Sequence, residues 1–326
     1  MTDKTMNQIE EMKKQTIGVE IEMNNITREK AARLAAEYFG TGRYEYTARR
    51  NGYETWSAWD AQGREWKMQK DVSIHGADSQ KCELVTPILN YSDIETLQEL
   101  VRRLRKAGAK SDYTRGCGVH IHIGAKGHTP QTLRNLANIM ASHESLLKDA
   151  LALDDYRVGR YCRPVDPDFL KAVNKKKPQS MSALADVWYE SNGANYGRSH
   201  HYNDSRYHML NLHSFFEGKG VEFRLFQFDN YDPSRPVGRK GGLHAGQLKA
   251  YVQLCLAMNY RALHTRAAKY QPLQSENQRY TMRCWLLRLG FIGDEFATAR
   301  RVFTNRLPGD TAFRHGRPTK VAETAA

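Results

Sequence analysis

Two glutamates in a short apolar segment are the first residues whose spacing could do chemistry. Glu20 and Glu22 lie two positions apart within residues 16–23, where apolar residues occupy the alternate positions. Residues two apart in a β-strand share one face, so both carboxylates would point the same way. Neighbouring carboxylates repel each other unless a cation lies between them. The pattern therefore predicts a strand that contributes to a metal site, with an ordinary exposed strand face as the alternative.

Three later segments repeat this arrangement, with apolar residues on one parity and ionisable residues on the other. If all four segments pair in one sheet, their polar faces would form a concave site with four carboxylates and two imidazoles. The further residues are Glu83 in residues 81–87, His120 and His122 in residues 118–124, and Glu222 and Arg224 in residues 221–228.

The ligand types in this set indicate which ion it would bind. Oxygen ligands favour Mg²⁺ or Mn²⁺, and an imidazole among them shifts the preference toward Mn²⁺. Arg224 beside Glu222 would bind anionic oxygens of a substrate, such as those of phosphate. Taken singly, each motif has a simpler interpretation as packing or as a surface ion pair. Their joint occurrence on apolar-backed strands is what favours a site.

The elements that must position these residues follow from hydrophobic periodicity, which predicts an α+β fold. Strands would carry the ionisable residues on one face, and helices would cover the other. We expect helices over residues 27–38, 92–108 and 129–151 and from residue 244 onward, and a capping box at Ser92–Glu95 begins the second of them. We also expect a strand pair over residues 207–215 and 221–228 and a basic loop over residues 154–180.

Composition restricts the class of protein. The chain has 326 residues, 40% hydrophobic and 26% charged, which is typical of a soluble globular protein with one large domain or two. It contains no apolar run long enough for a membrane span, and its first residues lack the apolar core of a signal peptide. Its five cysteines are widely spaced, which favours reduced thiols. We therefore expect a cytoplasmic protein.

Positive charge is concentrated toward the C-terminus. The net charge is +13, and residues 231–326 contribute +10 of it, with 16 Lys and Arg against 6 Asp and Glu. Such a region can contact nucleic acid, nucleotides or an acidic partner, or it can be a solvated surface. The sequence has no spacing that is diagnostic of a known nucleic-acid-binding motif.

In their order and spacing, the motifs resemble those of carboxylate–amine ligases with the glutamine synthetase fold, and most closely the amidoligase family of bacteria and phages. The resemblance covers roughly residues 15–230 and rests on residues 18–22, 83–87, 117–122 and 221–224, with Arg206, Tyr207, Asn211 and Leu212 before the last of them. It implies a curved antiparallel sheet with helices on one face. It also implies three parts: a polar N-terminal extension (1–14), the ligase domain (15–240) and a basic helical C-terminal segment (241–326).

The resemblance implies an ATP-dependent reaction with Mg²⁺ or Mn²⁺. A small-molecule or peptide carboxylate would attack the γ-phosphate of ATP to give an acyl phosphate, and an amine would then displace phosphate to form an amide.

The same resemblance assigns roles to residues of this sequence. Five would hold the metals: Glu20, Glu22, Glu83, His120 and Glu222. Arg224, His122 and Asp71 would be catalytic, while Arg206, Arg160, Lys67 and Asn211 would contact the nucleotide or the substrate. The acid that completes the second metal site of glutamine synthetase has no clear counterpart, and Glu190 and Glu217 are the candidates.

Two other functions stay open at this point. A zinc-dependent hydrolase could use Cys117, His120, His122 and a glutamate, because zinc prefers few ligands that include sulfur and nitrogen. A binding module could dock nucleic acid or another partner on the basic C-terminal segment, and this could coexist with ligase activity.

Overall fold

The computed structural model describes residues 3–48, 52–229 and 242–315 of the chain. Its strands are β1 (Ile17–Met23), β2 (Tyr44–Tyr46), β3 (Trp56–Trp59), β4 (Glu65–Gln69), β5 (Cys82–Val85), β6 (Val119–Ile123), β7 (Leu210–Asn211) and β8 (Val221–Phe226). Its α-helices are α1 (Asp3–Lys13), α2 (Arg28–Phe39), α3 (Ile94–Lys106), α4 (Pro130–Leu151), α5 (Asp155–Tyr161), α6 (Pro167–Lys176), α7 (Met181–Ser191), α8 (His213–Phe216), α9 (Ala245–Leu263), α10 (Gln278–Arg288) and α11 (Ala297–Thr304).

One open antiparallel sheet unites the eight strands of the described residues. Their order is β2-β3-β4-β5-β1-β6-β8-β7, which places β1, β6 and β8 side by side although they are far apart in sequence. The α+β organisation predicted from the sequence is therefore confirmed.

Helices cover the apolar face of this sheet. Helix α2 packs on β3 and β4, while α9 packs on β6 and on α3, α4 and α11. The apolar residues of β1 and β6 that alternate with the ionisable ones lie beneath this layer and are at most 1% exposed, except Ile17 at 2%. Burial of each such side chain contributes about 1.5–3 kcal/mol, so the alternation fixes which face carries the ionisable residues.

Two predicted helix boundaries are confirmed by their caps. The Thr27 side chain accepts a hydrogen bond from the Lys30 amide at the start of α2, and Gly40 ends that helix with a φ of 72°. Thr129 caps α4, with Pro130 at its first position. These caps satisfy backbone groups that a helix end leaves without partners.

Three local predictions were wrong. The capping box before α3 consists of Asn90 and Asp93 in a short 3₁₀ turn, not of Ser92 and Glu95. Residues 207–215 contain only the two-residue strand β7, followed by α8. The predicted loop over residues 154–180 contains α5 and α6, whose first residues are capped by the side chains of Asp154 and Asp166.

The structure describes most of the predicted N-terminal extension (1–14) but not the predicted end of the ligase domain at residue 240. Residues of the predicted N-terminal extension form α1, whose Ile9 and Met12 are buried and which packs on α9. The predicted boundary at residue 240 lies outside the described residues, and the division into three parts stays a prediction. Over residues 3–48, 52–229 and 242–315, every helix is too short or too polar to cross a membrane.

Candidate functional site

The strand register places the predicted ionisable residues side by side on the polar face of the sheet. Glu22 lies opposite Glu83, and Glu20 lies opposite His120. His122 lies opposite Glu222, which in turn lies opposite Asn211. Five strands, β1, β5, β6, β7 and β8, which are separated by up to about two hundred positions, therefore contribute to one continuous row.

Glu20 is the centre of the contacts within this row. Its Oε2 lies 3.1 Å from His120 Nδ1, and its Oε1 lies 3.4 Å from His122 Nε2. The Oε1 atom of Glu222 lies 3.7 Å from His120 Nδ1 and 3.9 Å from His122 Nε2. The carboxylates and imidazoles thus face each other across a space of the size that a cation occupies.

Among the described residues, three overlapping groups could each hold a metal ion, because one ligand atom from each member lies within 4.8 Å of the others. The groups are Glu20–Glu83–His120, Glu20–His122–Glu222 and Glu22–Asp71–Glu83. All five predicted metal ligands are included. His122 and Asp71, which the sequence assigned to catalysis, are included as well.

The donor set fits a divalent cation. Glu22, Glu83 and Glu222 are each at most 7% exposed, so their charges are largely removed from water. Buried His122 Nε2 makes no hydrogen bond to the part of the chain that the structure describes. Since a buried polar atom normally has a partner, this nitrogen is suited to a ligand role.

The pKa values of the carboxyl groups divide into two sets. Burial and the charges of Glu20, Glu22 and Asp71 raise the pKa of Glu83 well above its usual range. Burial also raises the pKa of Glu22. Repulsion of this kind is relieved by a cation.

The second set is held ionised by its neighbours. Burial opposes ionisation of Glu222, but Arg224 and the two histidines outweigh it and lower the pKa of Glu222 to about 2. His122 and His120 likewise outweigh burial at Glu20 and hold its pKa well below the usual range. Burial would lower the pKa of His122, but the charges of Glu222 and Glu20 raise it overall.

Arg224 joins this row from β8. Its Nη1 lies 2.5 Å from Glu222 Oε1, and its guanidinium lies over the Tyr207 ring at 5.8 Å from the centroid. The side chain is 6% exposed, and its buried Nε has no hydrogen-bond partner among the described residues. A buried guanidinium with an unused donor is suited to bind an anionic oxygen.

An irregularity in the sheet explains the position of Arg224. The β6–β8 register shifts between Val119 and Ile121, because one residue of β6, His120, lies opposite two residues of β8, Arg224 and Leu225. Arg157 of α5 donates hydrogen bonds to the carbonyls of Arg224 and Leu225 at 2.8 and 3.0 Å. A side chain thus satisfies backbone groups near the bulge and fixes β8 beside the site.

A cavity of about 160 Å³ opens onto the row. It is lined by Glu22, His120 and Arg224 from the sheet, by Asp71 and Arg206, and by aromatic residues of the surrounding loops and helices. The aromatic residues are Tyr113, Tyr156, Tyr161, Tyr202 and Tyr207. This cavity is where a substrate would meet the carboxylates.

Four residues that the sequence proposed as nucleotide or substrate contacts lie in different places. Asn211 donates a hydrogen bond to Glu222 Oε2 at 2.5 Å, and Arg206 lines the cavity. Arg160 lines a neighbouring cavity that shares Tyr161 and Tyr207 with the first. Lys67 is exposed and pairs with Glu65 at 3.7 Å, so the structure does not bring it to the carboxylates.

The proposed completing acids do not join the metal groups either. Glu190 pairs with Lys176 at 3.2 Å on the outer surface, and Glu217 follows α8. Asp71 joins Glu22 and Glu83 instead. The sequence placed Asp71 on the parity of Lys67 and Gln69 but gave no sign that its carboxylate would reach Glu22.

Sequence reasoning missed two supporting residues. Gln69 donates a hydrogen bond to Glu83 Oε2 at 2.9 Å, and its place on the parity of Asp71 could have indicated this. Arg157 stood out only as one of several arginines in a basic stretch, because nothing in the sequence shows that its guanidinium is buried.

Cys117 is separate from the ligand set. Over residues 3–48, 52–229 and 242–315, none of the three metal-competent groups includes it. Burial and the nearby charge of Glu22 raise the pKa of its thiol, so the thiol stays protonated without a metal. The geometry therefore favours a cation with oxygen and imidazole ligands over the zinc arrangement.

Comparison with known proteins agrees with the family that the motifs resemble. A family model described as "Putative amidoligase enzyme" matches residues 13–259, which is more than half of the chain. The match includes β1, β5, β6 and β8 and every residue of the three metal groups. Neither a curated protein nor a solved structure matches the sequence. The chain belongs to the amidoligase family, whose name is that of enzymes that form amide bonds.

Proposed function

We propose that the protein is an ATP- and Mg²⁺-dependent carboxylate–amine ligase that works through an acyl phosphate, on a catalytic fold like that of glutamine synthetase. The observation that carries the proposal is the convergence of Glu20, Glu22, Glu83, His120 and Glu222 on one polar sheet face beside a buried arginine. The antiparallel sheet with helices on its apolar face is compatible with that fold.

These five residues would hold the cations, and His122 would complete the Glu20–Glu222 group. Divalent cations there would supply charge neutralisation for the phosphates of ATP and would orient them for in-line transfer. Manganese is also compatible with the mixed oxygen and imidazole donors.

In the first step, an oxygen of the substrate carboxylate attacks the γ-phosphorus of ATP, and the bond between that phosphorus and the oxygen of ADP breaks. Arg224 is buried beside Glu222 and has a donor to spare, so it would bind the oxygens of the transferred group. Arg206 would add a second guanidinium from the cavity wall.

In the second step, the amine nitrogen attacks the acyl carbon, and the carbon–oxygen bond to phosphate breaks. Phosphate leaves with the bonding electrons, and the nitrogen loses one proton. Asp71 lines the cavity close to Glu22 and Glu83, so its carboxylate is placed to accept that proton. The tyrosine-lined part of the cavity would exclude water from the acyl phosphate.

A trapping experiment tests the proposal without knowledge of the natural amine. Purified protein is incubated with MgATP, hydroxylamine and a panel of carboxylates, and acyl hydroxamate and ADP are measured. An acyl phosphate gives both products in equal amounts, and ¹⁸O from a labelled carboxylate appears in the released phosphate.

A matched pair of variants makes this test specific. Glu20→Gln should abolish product formation, whereas Glu190→Gln, which changes an exposed glutamate on α7, should leave it unchanged. Protein that neither binds MgATP nor consumes ATP with any carboxylate of a broad panel would contradict the proposal.

A further inference from the structure

A basic groove in the helical layer shares none of its described lining residues with the cavity of the candidate active site. It has a volume of about 780 Å³ and is formed by the last turns of α3, the start of α9 and the helix α11. Five Lys or Arg residues line it, against a single acidic residue, Asp229. The basic residues are Arg102, Arg105, Lys106, Arg301 and Arg306.

The acidic residue in this groove is already neutralised. Asp229 Oδ2 lies 3.1 Å from Nη2 of Arg306, and Gln247 donates a hydrogen bond to the same carboxylate. Lys106 and Arg301 are exposed, and neither forms an ion pair with a residue that the structure describes. The groove therefore presents an excess of positive charge to an external ligand.

The backbone adds to this potential. Residues Ala245 to Gln247, the first turn of the 19-residue helix α9, line the groove, and the side chain of its N-cap residue His244 makes no capping hydrogen bond. Amide groups at the start of a helix carry partial positive charge, so they reinforce the arginine and lysine side chains.

The groove is also close to the candidate active site. Leu151 lines the groove, and Asp154 lines the cavity above the carboxylates. The Cα atoms of these two residues are at most about 11 Å apart, so one short segment of chain borders both the groove and the substrate cavity. Gln227 ties the intervening segment down through hydrogen bonds to Ala152 and Asp154 at 3.2 and 3.3 Å.

We propose that this groove binds the phosphate backbone of a nucleic acid. A polymer is favoured over a small anion because the cations come from separate helices along an open groove and because the whole chain has a net charge of +13 and a pI near 9.5. A positive potential of that extent attracts a polyanion and gives a binding affinity that depends steeply on salt.

The test measures the fluorescence anisotropy of labelled single-stranded DNA, duplex DNA and RNA with the full-length protein between about 50 and 200 mM salt. We expect at least one of these to bind with a clear salt dependence. The double variant Lys106→Glu with Arg301→Glu should bind about tenfold more weakly or worse, and its salt slope should be smaller by about 2.

A matched control separates the groove from overall charge. Arg33→Glu with Lys171→Glu makes the same change in net charge at exposed surface pairs on α2 and α6. It should keep most of the affinity and the original slope, and both double variants should melt like the wild type. Equal weakening by the two variants, or no binding at low salt, would overturn the proposal. Binding of inorganic triphosphate without binding of any oligonucleotide would also overturn it.

Discussion

Glu20 and Glu83 are the two acidic residues that each belong to two of the three metal-competent groups of the described residues. Glu20 contacts both histidines. It is also more accessible than Glu22, Glu83 and Glu222, with 26% of its side chain exposed. The cations that it contacts would share one carboxylate. Its charge should therefore matter for both groups at once.

The first prediction concerns this shared ligand. Glu20→Gln keeps the shape of the side chain but removes the charge, so we expect Mn²⁺ affinity to fall about 10–100-fold, measured by calorimetry or electron paramagnetic resonance. Glu217→Gln serves as the control, since Glu217 lies outside the three metal groups of the described residues. Unchanged stoichiometry and affinity in Glu20→Gln would show that the ions bind elsewhere.

The second prediction concerns repulsion at Glu83. Its pKa is raised, so the neutral form stabilises the fold at low pH and this contribution is lost as the pH rises through the folded-state pKa. In EDTA at pH 8, Glu83→Gln should therefore be more stable than the wild type, by about 1 kcal/mol. Saturating Mg²⁺ should remove or reverse the difference, because the wild type gains more from the cation. Thermal unfolding with and without metal measures both effects.

The third prediction concerns a buried histidine, His208, that is a member of none of the three metal-competent groups of the described residues. Burial lowers the pKa of His208 to about 4, whereas its unfolded-state value is near 6.5. The folded state resists protonation, so wild-type stability falls as the pH drops from 6.5 to 4. The loss at this site is on the order of 3 kcal/mol.

A variant isolates the contribution of His208. His208→Asn keeps a donor for the Ser205 carbonyl but cannot titrate. The stability of this variant relative to the wild type should therefore increase as the pH falls from 7 to 4.5. Urea unfolding at the two pH values gives this difference. A constant difference would mean that His208 is not protonated on unfolding.

At the scale of secondary structure, the sequence predicts which side chains share a face of each strand, but it does not predict which strands pair with each other. Alternation alone placed Glu20 with Glu22 and His120 with His122, because period two assigns side chains to opposite faces. The pairing of β1 with both β5 and β6 depends on contacts between distant segments, which a single sequence does not display. Only the family resemblance connected these strands in advance.

The failures among the elements have local causes. Residues 207–215 begin and end with the β-favouring Tyr207 and Phe215, but after Asn211 the backbone turns into the short helix α8, so tertiary context overrides propensity. The basic composition of residues 154–180 led to the prediction of a loop. The N-cap residues Asp154 and Asp166, the latter followed by Pro167, instead begin the short helices α5 and α6. Asp71 was assigned a catalytic role by the family resemblance, and its place in the sequence does not show that its carboxylate lies close to Glu22 and Glu83.

The fourth prediction concerns helix α1, which the sequence assigned to a polar extension. Met12 is 1% exposed in the core, whereas Met6 on the same helix is 46% exposed. Met12→Ala should therefore lower the free energy of unfolding by about 2–5 kcal/mol, and Met6→Ala should change it by less than about 0.5 kcal/mol. Chemical denaturation of both variants measures this. Equal stabilities would show that α1 is not part of the folded core.

At the scale of the whole molecule, cation and nucleotide binding should be linked to unfolding. A ligand that binds only the folded state at a hundred times its Kd adds about 2.7 kcal/mol of stability. As the fifth prediction, Mg²⁺ with a non-hydrolysable ATP analogue should raise the melting temperature, and EDTA should reverse the rise. Glu20→Gln should show a much smaller rise. The same rise with the analogue and EDTA together would exclude a cation-bridged nucleotide.

The buried guanidinium of Arg157 fills the space where a side chain at position 118 would begin. A Cβ atom added to Gly118 would lie closer to Nη2 of Arg157 than real Cβ atoms lie to their neighbours, so the guanidinium would have to move and give up its hydrogen bonds to β8. Family members that have arginine at the position of Arg157 should therefore have glycine at the position of Gly118. Relatives with a smaller residue in place of Arg157 are free to carry alanine or serine there, so the two positions should co-vary through evolution.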